Sequence, residues 1–113
     1  MIVKSVKRSR IESVDFDNLS FGSTFSDHMF VCDYANGKWG EPQIIPYATI
    51  QLDPSASALH YGQAVFEGMK AYKDDQNDVW LFRPDQNIKR LNKSAERLAI
   101  PQFSEELFLK GLS

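Results

Sequence analysis

The sequence predicts a small α+β domain with a mostly antiparallel sheet and packed helices. Three observations lead to this fold class: short runs of β-branched and aromatic residues broken by turn residues, one long amphipathic helix pattern, and no regular strand–helix alternation of the kind that builds a parallel sheet. The length of 113 residues suits about one domain. A charged fraction of 25% and an aromatic fraction of 12% are those of a folded protein and exclude a disordered tail.

The charge and the cysteine content exclude several classes of protein. A formal net charge of −2 provides no overall attraction to nucleic acid or to anionic membranes, and no apolar run approaches the ~20 residues that cross a bilayer. Cys32 is the single cysteine, so the chain is not a disulfide scaffold. His28 and His60 lack acidic or histidine neighbours at metal-binding spacing, and we therefore expect no metal site.

The N-terminal segment differs in composition from the rest. Residues 1–10 are basic, as in a mitochondrial targeting peptide, but Glu12 and Asp15 follow at once. We therefore expect residues 1–20 to form a loosely ordered arm, residues 21–113 to form the α+β domain, and the protein to be cytoplasmic rather than mitochondrial.

The first half of the domain predicts strands and turns. Aromatic and β-branched residues indicate a strand over Thr24–Asp33, and Asn36-Gly37 predicts a tight turn because both residues tolerate positive φ. Prolines on both sides of residues 43–45 restrict that segment to a short strand or a sheet edge.

The next segment predicts a short helix and a hairpin. Ser57 is expected to cap a helix that continues through Phe66, with Gly68 as its stop. Residues 69–72 and 79–82 are expected to pair as a hairpin across a turn rich in hydrogen-bonding side chains.

The longest helix is predicted from Asp85 to Ile100, begun by Pro84 and ended by Pro101. Residues spaced 3, 4 and 3 apart form one apolar stripe on it. The stripe consists of Ile88, Leu91, Ala95 and Leu98. A last helix is expected to begin after Ser104, as its cap, and its apolar face is still short when the sequence stops, as in a protein fragment.

Four residues are candidates for a binding site. Arg90 lies at the margin of the apolar stripe and could present its guanidinium to a phosphate or carboxylate, although packing along the domain surface is the simpler interpretation. Tyr61 and Phe66 could line a pocket, with core packing as the alternative. Phe21, before Gly22, belongs either to a pocket lid or to an anchoring turn. The sequence contains no phosphate-binding glycine loop, nucleophile elbow or cysteine–histidine pairing.

Three segments carry a family resemblance. Residues 57–72 (SALHYGQAVFEGMKAY) and 81–91 (LFRPDQNIKRL) closely resemble the small domain of branched-chain amino-acid aminotransferases, and the stretch Phe21–Met29 resembles the subgroup that includes the eukaryotic enzymes. The likeness runs through about residues 21–113 in consistent order and spacing. These are fold-type IV enzymes that use pyridoxal 5′-phosphate.

The resemblance implies roles for the candidates. Arg90 matches the arginine that binds the cofactor phosphate, and Tyr61, Phe66 and Phe21 match aromatic residues that line the pocket for the aliphatic substrate side chain. It also implies a homodimeric parent enzyme that transfers the amino group between L-leucine, L-isoleucine or L-valine and 2-oxoglutarate. In family dimers the tyrosine also approaches the site of the neighbouring subunit.

The resemblance further implies what the chain lacks. The lysine that forms the Schiff base lies in the larger second domain of the family, and neither Lys70 nor Lys93 matches it. We therefore expect no catalytic residue in this chain, no retained cofactor and no activity from the chain alone.

Three alternatives remain at the level of sequence. D-amino-acid aminotransferases and aminodeoxychorismate lyases share parts of the Tyr61–Gly68 region but lack the Phe21–Met29 stretch. The third alternative is a non-catalytic interaction module that keeps the small-domain fold.

Overall fold

The structure, a computed structural model, describes every residue from Met1 to Ser113. The chain divides into two compact units, Met1–Gln51 (unit 1) and Leu52–Ser113 (unit 2). Seven short strands and three α-helices are distributed over them, and three of the four strand pairs are antiparallel. The predicted α+β class, with mostly antiparallel pairing, is confirmed. None of the helices has both the length and the apolar character needed to cross a membrane.

Unit 1 is built around a three-stranded sheet. The unit contains five strands, β1 (Ile2–Val3), β2 (His28–Val31), β3 (Tyr34–Ala35), β4 (Lys38–Trp39) and β5 (Gln43–Pro46). Strands β3 and β4 form a separate hairpin. The sheet order is β1-β5-β2, with β5 parallel to β1 and antiparallel to β2. The short strand expected between the prolines is therefore confirmed, but it is the central strand and not an edge, because β1 pairs with its other side.

The segment predicted as a loose arm makes specific contacts within unit 1. The Lys4 N–H donates to the Ile44 carbonyl at 2.9 Å. Ser9 Oγ donates to Asp27 Oδ2 at 2.6 Å and the Arg10 N–H donates to Asp27 Oδ1 at 3.1 Å. These hydrogen bonds, that of Ser9 first, lower the pKa of Asp27 below its usual 3.8. The domain boundary after residue 20 stays a prediction.

The strand predicted over Thr24–Asp33 is wrong in its extent, since β2 begins only at His28. The reason is a side chain from elsewhere in the unit: Arg10 Nη2 donates to the Ser26 carbonyl at 2.9 Å, so this carbonyl is bound outside the sheet. At the other end of β2, the Gly40 N–H donates to the Asp33 carbonyl at 2.8 Å and closes a loop around the next hairpin.

The turn predicted at Asn36-Gly37 is confirmed. Asn36 has φ of 53° and Gly37 has φ of 77°, the combination that a two-residue hairpin turn between β3 and β4 requires. The rings of Tyr34 and Trp39, paired across the hairpin, meet edge to face with centroids 5.1 Å apart.

Unit 2 contains three helices and one hairpin. Its elements are α1 (Ser57–Tyr61), β6 (Ala71–Lys73), β7 (Val79–Leu81), α2 (Pro84–Arg97) and α3 (Glu105–Leu112). The predicted hairpin is confirmed, although β6 begins at Ala71 instead of Met69 and runs to Lys73, and β7 ends at Leu81 instead of Phe82. Asp74 organises its turn, since the Trp80 Nε1–H donates to Asp74 Oδ2 at 2.7 Å. The predicted cap of the last helix is confirmed too, because Ser104 Oγ accepts the Leu107 N–H at 3.2 Å.

The predicted extent of α1 is wrong. The helix ends at Tyr61 because Gly62 takes a left-handed conformation, with φ of 62°, so Gly62 and not Gly68 is its stop. Ser57 is its first residue and Ala56 occupies the cap position, with no side-chain cap. Residues through Phe66, expected to be helical, therefore leave the helix.

Helix α2 also ends earlier than predicted, at Arg97 instead of Ile100. Ala99 adopts φ of 54°, and the Ile100 N–H donates to the Ala95 carbonyl at 2.9 Å, which closes the last turn before Pro101 is reached. The Leu98 carbonyl beyond the helix accepts a hydrogen bond from Gln63 Nε2 at 2.7 Å. Pro101 therefore does not itself end the helix.

The core of unit 2 is small and lies against α2. Ile88 is fully buried and Ala95 is nearly so, as the apolar stripe predicts, whereas Leu91 is half-buried and Leu98 is exposed past the helix end. Each unit of this size buries proportionately little apolar surface, so a single buried side chain carries much of the packing energy.

We expect Ile88→Ala to destabilise unit 2 by about 2–5 kcal/mol, because it removes the one large side chain that is fully buried and leaves a cavity. Urea unfolding followed by circular dichroism measures the effect. Leu59→Ala is the matched control, since Leu59 is 60% exposed on α1 and its truncation is expected to change stability by less than about 0.5 kcal/mol. Equal effects from the two substitutions would contradict this description of the core.

Candidate functional site

The four residues selected from the sequence lie in different units. Phe21 lies in unit 1, next to Gly22 with φ of 77°, and its side chain is fully exposed. Tyr61 is the last residue of α1, Phe66 lies in the chain that follows, and Arg90 lies on α2, so these three belong to unit 2. Tyr61 is 86% exposed and Phe66 is 90% exposed. Neither ring is part of a packed core, which was the alternative considered for them.

The chain between Gly62 and β6 has no regular secondary structure and shows alternating exposure; we call residues 63–70 the connecting segment. Its odd-numbered residues are half-buried and its even-numbered residues are exposed. Phe66 is 90% exposed and faces outward, whereas the Glu67 side chain is 15% exposed and faces α2, where Asn87 donates to it. The Phe66 ring and the Glu67 carboxylate therefore lie on opposite sides of the connecting segment.

Glu67 and Arg90 form a bidentate ion pair. Arg90 Nε donates to Glu67 Oε1 at 3.0 Å, and Arg90 Nη2 donates to Glu67 Oε2 at 2.7 Å. The carboxylate is mostly buried, with a side chain 15% exposed, whereas the Arg90 side chain is 61% exposed. Two parallel charge-assisted hydrogen bonds hold the planar guanidinium in one orientation.

Asn87 holds the other side of the carboxylate. Its Nδ2 group donates to Glu67 Oε2 at 2.9 Å and to the Gly68 carbonyl at 3.0 Å. Asn87 is 6% exposed and lies three residues before Arg90, so both side chains project from one side of α2. The connecting segment is thus tied to α2 at two consecutive residues.

The electrostatics follow from these contacts. The hydrogen bond from Arg90 is the main cause that lowers the pKa of Glu67 below its usual 4.5, with a further contribution from Asn87. The same bond to Glu67 raises the pKa of Arg90 above its already high usual value. Both groups are therefore charged at neutral pH.

One edge of the guanidinium remains open. Glu67 takes the edge formed by Nε and Nη2, and a guanidinium has a second edge, formed by Nη1 and Nη2, with two further N–H donors. That geometry matches two oxygens of a phosphate or carboxylate. The cluster can therefore bind an anion at the exposed side of Arg90.

Sequence reasoning selected Arg90 but missed its partners. In the sequence, Glu67 and Asn87 stand out only as members of the segments 57–72 and 81–91 that carry the family resemblance. The available signal was the spacing of three between Asn87 and Arg90, which puts an amide and a guanidinium on one side of the helix. The position of Glu67, 23 residues before Arg90, gave no local signal.

Unit 1 contains a separate apolar cavity of about 350 Å³. Its walls include Ile11, Phe16, Leu19 and Phe25, and Arg10 and Asp27 lie at its polar side. Phe21 does not line it, so the predicted pocket residue in unit 1 and this cavity are distinct features.

Comparisons with known proteins identify relatives. The chain is 57% identical over 103 residues to branched-chain-amino-acid transaminase 1 of Bacillus subtilis. The aligned region covers 90% of this chain and 29% of that protein. It is 50% identical over 96 residues to the branched-chain-amino-acid aminotransferase of Mycolicibacterium smegmatis, covering 84% of this chain and 26% of the relative. The mitochondrial branched-chain-amino-acid aminotransferase of Saccharomyces cerevisiae is 47% identical over 95 residues, covering 83% of this chain and 24% of the relative.

This chain is a homologue of the branched-chain aminotransferases. The family resemblance of the sequence motifs is thereby confirmed. The homologous segment spans less than a third of the length of these relatives, at 24–29% in the three named here. No protein-family model matches the chain.

In the 113-residue chain we expect the pKa of Glu67 to lie below its usual value of 4.5. We expect Arg90→Ala to raise this pKa, because it removes the main cause of the shift. Because the folded-state pKa lies below the unfolded value, the pair stabilises the fold above about pH 4.5, and this stabilisation is lost as the pH falls through the lowered pKa. NMR of the Glu67 Cδ nucleus over an acid titration measures it.

Asp53 provides the control for this titration. Its pKa is lowered by Ser55 and does not involve Arg90, so it should be the same in both proteins. A Glu67 midpoint that is at its usual value in both proteins would contradict the ion pair.

Proposed function

We propose that the chain is the small N-terminal domain of a fold-type IV enzyme that depends on pyridoxal 5′-phosphate. In this proposal the whole enzyme transfers the amino group between a branched-chain L-amino acid and 2-oxoglutarate. The observation that carries the proposal is 57% identity, over 90% of the chain, to a relative named as a branched-chain-amino-acid transaminase. The α+β fold with mostly antiparallel strand pairs agrees with the domain assignment.

The residues of the site fit the phosphate of that cofactor. Arg90 is 61% exposed and retains the two N–H donors of its Nη1–Nη2 edge, while Glu67 holds the neighbouring Nε–Nη2 edge. A phosphate accepts two parallel hydrogen bonds from such an edge. We infer that Arg90 binds the phosphate there and anchors the cofactor to this domain.

The rest of the reaction requires groups beyond this chain. Pyridoxal 5′-phosphate, when bound, supplies the electron sink for charge that develops at the substrate Cα. Neither Lys70 nor Lys93 matches the catalytic lysine of the family. We therefore infer that this chain contributes binding and orientation, that another part of the enzyme supplies the amine that moves the proton, and that the chain alone is inactive.

The substrate side chain is the proposed ligand of the aromatic residues. Leucine, isoleucine and valine side chains have no hydrogen-bonding groups, so a site recognises them by apolar contact and by exclusion of water. Phe21, Tyr61 and Phe66 are exposed rings and offer such contact. The exposure of Tyr61 also leaves it available to a neighbouring subunit of the homodimer that we propose.

The activity is tested in a grafted enzyme, in which the 103 matched residues of this chain replace the corresponding segment of Bacillus subtilis transaminase 1. We expect the grafted enzyme to bind pyridoxal 5′-phosphate and to transaminate leucine, isoleucine and valine with 2-oxoglutarate. A substrate panel that includes D-alanine and aminodeoxychorismate separates the related enzymes. A folded, cofactor-loaded graft that is inactive on all three branched-chain amino acids would refute the proposal.

In the grafted enzyme, we expect Phe66→Ala to lower kcat/KM for leucine by about tenfold or more, because apolar contacts with the substrate side chain are lost. Phe82→Ala is the matched control: Phe82 is 80% exposed in the same unit but lies outside the predicted pocket. If the two substitutions reduce leucine turnover equally, Phe66 has no specific place in the substrate pocket.

A further inference from the structure

Glu67 and Asn87 have no role in the function proposed so far, yet they make the most specific contacts of the cluster. Both oxygens of Glu67 accept hydrogen bonds from Arg90, and Oε2 accepts a further one from Asn87. An exposed ion pair alone contributes little stability, and here a nearly buried amide is added as a third partner. The arrangement is instead one that fixes the direction of the guanidinium.

We propose that Glu67 and Asn87 are positioning residues for Arg90, which hold its guanidinium with the Nη1–Nη2 edge turned toward the phosphate of the cofactor. This inference rests on the proposed function, since it assumes that Arg90 binds that phosphate. Glu67 acts directly on the guanidinium, and Asn87 acts through Glu67.

Asn87 is suited to this role by its position. It is nearly completely buried on α2, and one Nδ2 group donates both to Glu67 Oε2 and to the Gly68 carbonyl. The carboxylate therefore has a fixed place relative to the helix that carries Arg90. A shift of the connecting segment would move Glu67 and release the arginine.

The benefit of this arrangement is preorganisation. A free arginine side chain has many rotamers and loses most of that freedom when it binds an anion. In this chain the bidentate contact with Glu67 orders the guanidinium before any phosphate arrives. The ordering cost is then met by folding, and phosphate binding is stronger than it is for a mobile arginine.

The opposite role for Glu67 is that of a competitor. Its negative charge repels a phosphate, and a carboxylate that competed for the same donors would weaken cofactor binding. The hydrogen bonds favour positioning, because Glu67 takes the Nε–Nη2 edge and leaves the Nη1–Nη2 edge open. Glu67→Asp separates the two roles, since aspartate keeps the charge but is one methylene too short to keep both contacts.

The test measures how strongly the grafted enzyme prefers pyridoxal 5′-phosphate over pyridoxal, as the ratio of the two dissociation constants from absorbance titrations. Only pyridoxal 5′-phosphate carries the phosphate, so a general weakening of the fold lowers both affinities and cancels in the ratio. We expect Arg90→Ala to reduce this preference about 10- to 100-fold. We expect Glu67→Asp and Asn87→Ala each to reduce it about three- to tenfold.

Asn92→Ala is the matched control. Asn92 also lies on α2 and makes two hydrogen bonds through its amide, to the backbone of Phe103 at 2.8 and 2.9 Å, but it does not contact Glu67 or Arg90. Its substitution should leave the preference unchanged. An equal reduction in Asn92→Ala would assign the effect to the stability of α2 and overturn the proposal.

The remaining outcomes distinguish this inference from the proposed function. If Arg90→Ala reduces the preference but Glu67→Asp and Asn87→Ala do not, Arg90 binds the phosphate without help and the positioning role is refuted. An increase in preference for Glu67→Asp would make Glu67 a competitor and also refute it. If Arg90→Ala itself has no effect, the phosphate contact fails and the inference fails with it.

Discussion

The bidentate pair between Glu67 and Arg90 is the contact on which the site depends. It joins two parts of unit 2 that are far apart in sequence, the connecting segment and helix α2, and it does so with the geometry of both side chains fixed. Glu67 is held against α2, and the adjacent Phe66 side chain lies on the exposed side of the segment. One ion pair therefore fixes the orientation of the Arg90 guanidinium, while the neighbouring Phe66 ring stays exposed.

Polar contacts carry this role because little apolar core is available. Ile88 and Ala95 are the buried apolar residues of unit 2, and the large rings Phe21, Tyr61 and Phe66 remain exposed. A half-buried carboxylate with three hydrogen bonds gives directional constraints that two packed side chains cannot supply. In unit 2 the Tyr61 and Phe66 rings are therefore available for the contact with an aliphatic side chain that we propose.

Local patterns predicted much of the fold, and long-range contacts account for the errors. The Asn36-Gly37 turn, the hairpin around Asp74 and the Ser104 cap depend on neighbouring residues and could be predicted. The start of β2 depends on Arg10, which lies 16 residues before Ser26, and no local pattern reports that contact. The helix ends depend on the backbone conformations of Gly62 and Ala99, and an alanine with positive φ runs against its own preference. Arg90 could be selected by residue type and spacing, whereas its partner Glu67 required the tertiary structure.

A crystal structure of the grafted enzyme with pyridoxal 5′-phosphate bound is the most direct test that Arg90 anchors the cofactor from an orientation set by Glu67. We expect the Nη1 and Nη2 atoms of Arg90 to lie about 2.7–2.9 Å from two phosphate oxygens, with Glu67 still on the Nε–Nη2 edge. A phosphate bound by other groups, with the guanidinium turned away from it, would contradict the account.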